Sequence, residues 1–347
     1  MTHDPGFGHE HGVVLPVRVD PTGTIGPRKR EAAGPEWRRT SQGGYVQVYV
    51  EQTPVQRVGE AGWLLPPKNA SITGWGALAW QDGWWFSGTR GDAESYLPVP
   101  VATARHSIRP QPCIALCEER WDPTEVIVVD GLPVAQAVRA ACFAARYAPS
   151  REAAVVVLDL AAFHDLASLD EVAEWLQMHP SYTGIEQARQ AFLLADENAW
   201  SPTEPPMRLE WVAAGFPLPL TNRPLFDLGG RHAGTPDLID PVNGVVGEYN
   251  GALHLEGSRR YADLTREENY RSLGLEPVVM VAGDLPRRWE FRQRLAAAYR
   301  RASALPVADR LWTMERPPWW PATFTVEQRR SLSETQRERW LKHQLAS

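Results

Sequence analysis

Apolar and polar residues alternate in short runs along the chain, and the spacing of these runs predicts both strands and helices. Strand-like patterns are found at residues 44–50, 96–101, 113–119 and 126–129. Apolar residues at helical spacing predict helices at residues 53–65, 72–80, 134–147, 150–165, 168–177 and 185–196. The pattern therefore predicts an α/β protein whose amino-terminal part is mixed α+β.

A β-hairpin is predicted around residues 241–244, which read Pro-Val-Asn-Gly between two apolar segments. Asn and Gly tolerate the positive φ that closes a hairpin. If Asp240 pairs with Val245 across this turn, counting outward places Asp237 opposite Glu248. Cβ atoms of such a pair are about 5 Å apart, so the two carboxylates are expected to face each other.

Two carboxylates at this separation repel each other unless a cation lies between them. A hard divalent ion such as Mg²⁺ or Mn²⁺ is the simplest candidate, because it prefers oxygen ligands. Asn250 lies two positions beyond Glu248 and is expected on the same face of the strand, and His254 follows just past the strand end. The alternative is that Asp237 and Asn250 mark loop ends, Glu248 is solvated and His254 caps the next helix.

A longer series of residues contains this hairpin. The series is Pro236-Asp237, Glu248-Tyr249-Asn250-Gly251, His254, Asp263, Arg266, Leu273-Gly274 and an apolar strand at residues 278–281. It resembles the very-short-patch-repair (Vsr-like) endonucleases, a branch of the PD-(D/E)xK, restriction-endonuclease-like superfamily. The resemblance covers roughly residues 199–295 and implies an α/β/α core with a central mixed sheet.

The resemblance also implies a mechanism, which is Mg²⁺- or Mn²⁺-assisted hydrolysis of a phosphodiester bond in DNA. Asp237 and Glu248 match the metal ligands, and His254 matches the general acid or base. Arg266 would clamp the scissile phosphate, with Asp263 orienting Arg266 or His254. The alternative for the last pair is an ordinary ion pair on a helix surface, because Asp263 and Arg266 are three positions apart.

Two further positions of the resemblance bear on catalysis. In the family an acidic residue on the first helix joins the site, and Glu204 matches it; Ser201-Pro-Thr-Glu204 equally has the pattern of a helix capping box. Most PD-(D/E)xK enzymes carry a lysine where Asn250 stands, and an amide has no charge with which to stabilise the phosphate. The alternative function is therefore a non-catalytic DNA-binding regulator with a silent nuclease fold.

The net charge of −6 hides an uneven distribution of charge. Residues 285–347 hold thirteen Lys and Arg against six Asp and Glu, and Trp312, Trp319, Trp320 and Trp340 lie among these basic residues. A second basic cluster, near the amino terminus, contains Arg28, Lys29, Arg38 and Arg39. Basic residues can contact DNA phosphates and tryptophans can stack on bases. The alternatives are a solvated basic loop and an arm that tryptophans hold onto the protein.

Composition and length restrict the class of protein further. The chain has 347 residues, which is more than one core usually accommodates, so several domains are expected. We expect a cytoplasmic protein without a membrane partner, because neither a signal peptide pattern nor a long apolar run is found. Cys113, Cys117 and Cys142 lack zinc-ligand spacing and are interpreted as reduced structural thiols.

The amino-terminal part has a weaker resemblance, carried by Trp37-Arg-Arg-Thr, Gly44-Tyr-Val46 and residues 64–75 and 128–134. It resembles the type IV antitoxin (AbiEi-like) proteins, which implies a cognate toxin as partner if the chain acts as an antitoxin. Glycines and prolines at residues 22–39 would break the helices of a standard winged-helix reader. A third, weaker hypothesis is a purely structural interaction protein that uses tryptophan-rich surfaces.

The two resemblances together predict four parts in the chain. Residues 1–50 form a degenerate winged-helix-like or basic segment, and residues 51–198 form an AbiEi-like α/β and helical domain. Residues 199–300 form the Vsr-like endonuclease domain. Residues 301–347 form a Trp/Arg-rich C-terminal arm with a helix. The sequence predicts no particular oligomeric state.

Overall fold

The structure is a computed structural model that describes residues 6–90, 95–104, 108–119, 122–251 and 257–345, with the backbone alone for 257–264 and 345. The fold is a mixed α+β fold of the predicted α/β class, with several mixed sheets. Within these five ranges, none of the helices combines the length and the apolar character needed to span a bilayer.

The elements follow one another along the chain with helices and strands interspersed. The strands are β1 (Trp37–Ser41), β2 (Gly44–Gln47), β3 (Ala70–Ile72), β4 (Val99–Thr103), β5 (Ile114–Cys117), β6 (Val126–Val129), β7 (Leu132–Ala135), β8 (Leu220–Thr221), β9 (Leu225–Asp227), β10 (His232–Gly234), β11 (Leu238–Asp240), β12 (Val245–Asn250), β13 (Glu276–Val281) and β14 (Trp312–Thr313). The helices are α1 (Pro54–Gly62), α2 (Gly74–Trp80), α3 (Ala137–Arg146), α4 (Arg151–Phe163), α5 (Leu169–Met178), α6 (Ile185–Phe192), α7 (Glu204–Ala213), α8 (Gly257–Ser272), α9 (Arg288–Ala302), α10 (Val326–Arg330), α11 (Glu334–Trp340) and α12 (Lys342–Leu345).

The chain divides into two compact units. The first contains Met1–Ala148 and Asp170–Ile185, and the second contains Pro149–Leu169 and Glu186–Ser347. Helix α4 therefore belongs to the second unit, although it precedes α5 of the first unit in the sequence.

The first unit is built around a five-stranded mixed sheet with the strand order β5-β4-β3-β7-β6. Its core contains Ile72, Val101 and Val134 from three of these strands, all fully buried. Strands β1 and β2 form a separate antiparallel hairpin, in which Arg38 donates two hydrogen bonds to the carboxylate of Glu60 on α1. The three cysteines of the chain are free.

The second unit contains a four-stranded mixed sheet with the strand order β13-β12-β11-β8. Strands β8, β11 and β12 are antiparallel neighbours, whereas β12 and β13 are parallel and are connected through α8. This β12-α8-β13 connection follows the general rule that parallel strands need a long crossover, usually a helix. The expected hairpin, helix and following strand are thus confirmed.

The two faces of this sheet are covered by different elements. Leu238 and Val245 point toward α7 and α9, where they pack with Trp211 and Phe291 in one apolar cluster. The next residue along each strand points to the other face, where Ile239 and Val246 pack with residues of α8 and β9 in a second cluster; its buried members are Leu225, Ile239, Val246, Tyr270 and Leu275. Successive side chains along each strand therefore point to opposite faces of the sheet, as expected for a β-strand.

The carboxyl-terminal arm is held on the second unit by arginines as well as by tryptophans. The side chain of Arg329 is almost completely buried, and its Nε lies 2.7 Å from Oδ1 of Asp165. Arg337 binds the other oxygen of the same carboxylate at 2.7 Å. Trp320 packs against Trp340 with ring centroids 4.8 Å apart. These contacts agree with the alternative in which the arm is pinned to the protein.

Some boundaries differ from the sequence-based prediction. The helix expected at 72–80 begins at Gly74, because Ile72 pairs with Val101 at the end of β3. The helix expected at 134–147 begins at Ala137, because residues 132–135 pair with β6 as strand β7. In both cases the hydrogen-bonding partner, which lies elsewhere in the sequence, determines the boundary. Within residues 6–50, the described helical structure is a single 3₁₀ turn at Glu31–Ala33, and no α-helix of a winged-helix reader is found there.

A buried ion pair connects α4 and α7 in the second unit. Nη2 of Arg208 lies 2.7 Å from Oδ2 of Asp159, and both side chains are almost completely excluded from solvent. We expect Arg208→Met to lower the free energy of unfolding by about 3–5 kcal/mol, because it leaves a buried carboxylate without its partner.

The measurement is urea unfolding followed by tryptophan fluorescence. Arg271→Met is the matched control, since Arg271 forms an exposed pair with Glu267 on α8 and its removal should cost less than about 1 kcal/mol. Equal losses for the two variants would contradict the prediction.

Candidate functional site

Asn222, Asp237 and Glu248 lie side by side across the sheet of the second unit. The register Asp240 to Val245 is as predicted, and Leu238 pairs with Gly247, which makes Asp237 and Glu248 the next neighbours. On the other side, Leu238 pairs with Thr221, and the backbone N–H of Asn222 donates to the carbonyl oxygen of Asp237 at 3.0 Å. By strand parity, the side chains of Asp237 and Glu248 lie on the face covered by α8.

The turn that sets this register is held by the side chain of Asp240. Its Oδ1 accepts hydrogen bonds from the backbone N–H groups of Val242 and Asn243, both at 3.0 Å. Its Oδ2 accepts from the hydroxyl of Tyr299 at 2.7 Å, which fastens the turn to α9. Gly244 supplies the positive φ, +72°, that closes the turn.

Glu204, the first residue of α7, contacts Asn222. Its Oε2 accepts from the side-chain nitrogen of Asn222 at 2.6 Å and from the backbone N–H of Trp200 at 2.9 Å. The carboxylate is buried, with 4% of the residue exposed. The capping-box interpretation of Glu204 is wrong, because the N-cap of α7 is Thr203 and its side chain makes no capping hydrogen bond.

Asp237 and Glu248 are each held by specific donors. Oδ2 of Asp237 accepts from the backbone N–H of Tyr249 at 2.6 Å. Oε2 of Glu248 accepts from Nη1 of Arg266 at 3.2 Å, and Oε1 accepts from the hydroxyl of Tyr270 at 3.1 Å. Arg266 and Tyr270 are four positions apart on α8, so one face of that helix presents both donors to Glu248.

Burial raises the pKa of all three carboxyl groups: to about 8 for Glu204 and Glu248 and to about 6 for Asp237. Repulsion by the Asp237 carboxylate is the second cause for both glutamates. The Arg266 guanidinium lowers the pKa of Asp237 and Glu248, but desolvation outweighs its effect. The site therefore favours a state with bound protons or with an additional cation.

The remaining predicted site residues are only partly described. Asn250 is half-buried at the end of β12, two residues beyond Glu248 on the same strand. His254 lies outside the described residues. Asp263 belongs to α8, but its side chain is outside the described part of the structure, whereas Arg266 is described and its side chain is 54% exposed.

The predicted nucleic-acid contacts near the amino terminus have different environments. Arg38 is engaged by Glu60 of α1, and Arg28 lies 3.8 Å from Glu31 and donates to the carbonyl oxygen of Thr22. Lys29 and Arg39 are exposed, and Arg39 donates through Nε to the carbonyl oxygen of Ser41. Their predicted contact with phosphates stays a prediction.

Sequence reasoning missed two residues that contact the acids, Asn222 and Tyr270. The spacing of Arg266 and Tyr270, four positions apart in a predicted helix, was a signal for Tyr270. Asn222 had no comparable signal, because its contacts depend on the pairing of β8 with β11, and β8 has only two residues.

The polar side chains of the candidate site can be compared with the ligands that a divalent cation binds. Among the described residues, no group of three or more His, Cys, Asp and Glu side chains is gathered in the arrangement of a metal centre. The chemistry of the donors nevertheless fits a hard cation, because the Asp237 carboxylate repels both Glu204 and Glu248, and the buried Oδ1 of Asn222 has no hydrogen-bond partner in the described part of the chain. Oxygen ligands of this kind suit Mg²⁺ and Mn²⁺.

Comparison with protein-family models, with curated proteins and with solved structures gives no match to this chain.

The raised pKa values predict how the stability of the metal-free protein depends on pH. A carboxyl group with a higher pKa in the folded state than in the unfolded state binds its proton more tightly when folded, so its ionisation weakens the fold. As the pH rises from about 5 to about 8, the free energy of unfolding should therefore decrease.

The measurement is the thermal midpoint in EDTA across this pH range. Relative to Glu248→Gln, which cannot ionise, the unmodified protein should lose at least about 3 °C more, or roughly 1 kcal/mol for a unit of this size. Parallel pH profiles for the two proteins would exclude the raised pKa of Glu248.

Proposed function

We propose that the second unit is a divalent-metal-dependent endonuclease or nickase that hydrolyses phosphodiester bonds in DNA. We further propose that residues 199–300 form a restriction-endonuclease-like core. The observation that carries the proposal is the carboxylate of Asp237, whose charge raises the pKa of both Glu204 and Glu248, while burial raises the pKa of all three acids. Such perturbed groups are concentrated at functional sites.

The architecture of the second unit supports the same proposal. A four-stranded mixed sheet lies between α7 and α9 on one face and α8 on the other. Asp237 immediately precedes β11, Glu248 lies on β12 and Glu204 is the first residue of α7, which agrees with the hairpin and first-helix positions that the Vsr-like resemblance implies. Rigid strands hold the carboxylates more precisely than a loop would.

Asp237 and Glu248 would hold the cation, with Glu204 beside them. When bound, Mg²⁺ or Mn²⁺ would lower the pKa of water and screen the charge of the phosphate. Oδ2 of Asp237 already accepts a backbone hydrogen bond from Tyr249, and this bond orients the carboxylate. Tyr270 holds Glu248 in the same way from α8, so that both acids are positioned before substrate arrives.

Arg266 would contact the DNA phosphate. Its guanidinium binds Glu248 from an exposed position on α8, and a cation at the acids would take over the neutralisation of Glu248. The planar guanidinium would then bind a phosphate through two parallel hydrogen bonds. His254 and Asp263 keep the roles that the resemblance implies, general acid or base and orienting group.

One observation favours the second candidate function, a DNA-binding regulator or antitoxin-like protein with a silent nuclease fold. Asn250 stands where most PD-(D/E)xK enzymes carry a lysine, and its amide cannot supply a positive charge at the phosphate. Salt-sensitive binding of DNA without any cleavage in Mg²⁺ or Mn²⁺ would favour this second function.

The first test of the proposed function is nicking of supercoiled plasmid in Mg²⁺ or Mn²⁺. We expect Asp237→Asn and Glu248→Gln to lower the nicking rate by about 10²-fold or more, because each removes a charged metal ligand without changing the size of the side chain. Glu267→Gln is the matched control, since Glu267 pairs with Arg271 on the surface of α8. Nicking that survives both site substitutions would exclude these residues as the active site.

The second test concerns Arg266 and uses DNA binding rather than cleavage. In Ca²⁺, Arg266→Gln should weaken binding and reduce the dependence of log Kd on log salt concentration by about 1, because one phosphate contact is lost. Arg271→Gln, which removes a partly exposed arginine from the same helix, should leave this slope unchanged. Equal slopes for Arg266→Gln and the unmodified protein would exclude the phosphate contact.

A further inference from the structure

Asn222 connects acids that come from two different elements of the second unit. Its backbone N–H donates to the carbonyl oxygen of Asp237 at 3.0 Å. Its side-chain nitrogen donates to Oε2 of Glu204 at 2.6 Å and to the carbonyl oxygen of Asn198 at 2.7 Å. Asn222 is thus in direct contact with Glu204, at the start of α7, and with Asp237, which immediately precedes β11.

The other end of this amide is unsatisfied. Only 1% of Asn222 is exposed, and its Oδ1 has no hydrogen-bond partner in the described structure. Buried carbonyl oxygens almost always accept a hydrogen bond, because a carbonyl oxygen that leaves water without gaining a new donor costs free energy. This unpaired oxygen belongs to the same side chain that donates to Glu204, so it is a candidate ligand atom at the edge of the acids.

The orientation of the amide is determined by its neighbours. The nitrogen faces two acceptors, the Glu204 carboxylate and the Asn198 carbonyl group. Exchanging the two ends of the amide would place an oxygen against these acceptors and would lose both hydrogen bonds. The unpaired atom is consequently the amide oxygen. An amide oxygen can bind a metal ion, whereas the amide nitrogen cannot.

The backbone of Asn222 is also unusual, since its φ is +48°. Asparagine visits this left-handed region more readily than most residues, but the conformation still costs free energy. Unfavourable conformations of this kind are concentrated at functional sites, where the surrounding structure maintains them. Here the conformation holds the amide between Asn198 and Glu204.

We propose that Oδ1 of Asn222 is a further ligand of the divalent cation that Asp237 and Glu248 hold. The inference rests on the proposed function, because it requires a cation at these acids. A neutral amide oxygen is a ligand that Mg²⁺, Mn²⁺ and Ca²⁺ accept, and it adds no negative charge to a site that already contains three carboxyl groups. The nitrogen of the same amide positions Glu204, so one side chain serves both the cation and an acid.

The test is binding of Mn²⁺, measured by calorimetry on the full chain without DNA. Asn222→Ala removes the oxygen and should raise the Kd for Mn²⁺ at least about tenfold. Asn222→Asp keeps an oxygen in the same place and loses the N–H donor, so its Kd should equal that of the unmodified protein or be lower. Asn269→Ala, which removes an exposed asparagine from α8, is the control and should leave the Kd unchanged.

The aspartate variant separates a ligand from a positioning residue. If Asn222 acts only by holding Glu204 through its nitrogen, Asn222→Asp will bind Mn²⁺ as weakly as Asn222→Ala, and the inference is overturned. Circular dichroism and the thermal midpoint in EDTA report whether each variant is folded. If the alanine variant does not fold, the comparison of Asn222→Asp with the unmodified protein still decides the question.

A second measurement counts the water molecules on the bound ion. The luminescence lifetime of Tb³⁺ in H₂O and D₂O should show one more bound water in Asn222→Ala than in the unmodified protein. Unchanged affinity and hydration in Asn222→Ala, together with loss of binding in Asp237→Asn, would refute the role of Asn222 alone. Absence of Mn²⁺ binding by the unmodified protein would refute both this inference and the proposed metal-dependent function.

Discussion

The candidate site depends on the register of one antiparallel pair, in which Asp240 lies opposite Val245. Because side chains alternate between the faces of a strand, a slip of one residue would move every side chain of β12 to the opposite face. The carboxylate of Asp240 fixes the turn through two backbone hydrogen bonds, and Tyr299 fastens that carboxylate to α9. The same register places Gly247 against the ring of Trp211, where an added Cβ would lie 2.9 Å from the ring. Packing and turn geometry therefore select the same pairing.

Given this register, the acids are placed where their charges are unfavourable. Burial and repulsion by the Asp237 carboxylate raise the pKa values of Glu204 and Glu248, and Arg266, the described cation that pairs with Glu248, does not offset these effects there. A fold that serves stability alone would replace such a group with apolar residues. The cation that we propose would account for this arrangement and for the Oδ1 of Asn222, which has no hydrogen-bond partner among the described residues.

The second unit holds this site through contacts between segments that are far apart in the sequence. The buried pair of Asp159 and Arg208 connects α4 to α7, the helix that begins with Glu204. The ring of His343, near the carboxyl end, stacks on Trp200 at 3.9 Å, and the backbone N–H of Trp200 donates to Glu204. The basic carboxyl-terminal arm thus contributes to the support of an acidic group, and two of its arginines, Arg329 and Arg337, pair with Asp165.

The amino-acid sequence by itself determined the local features: the hairpin turn at 241–244, the register that makes Asp237 and Glu248 neighbours, the strand at 278–281 and the lack of a winged-helix reader's α-helices within the described residues 6–50. Each of these depends on residues close together in the chain, where turn preference and side-chain period act directly. Only the tertiary structure decided that Ile72 and residues 132–135 belong to strands, that Glu204 faces Asn222 instead of capping its helix, and that Arg38 is engaged by Glu60. These features depend on partners tens of residues away or in a different element, and the spacing of residues within one segment contains no information about which partner folds against it.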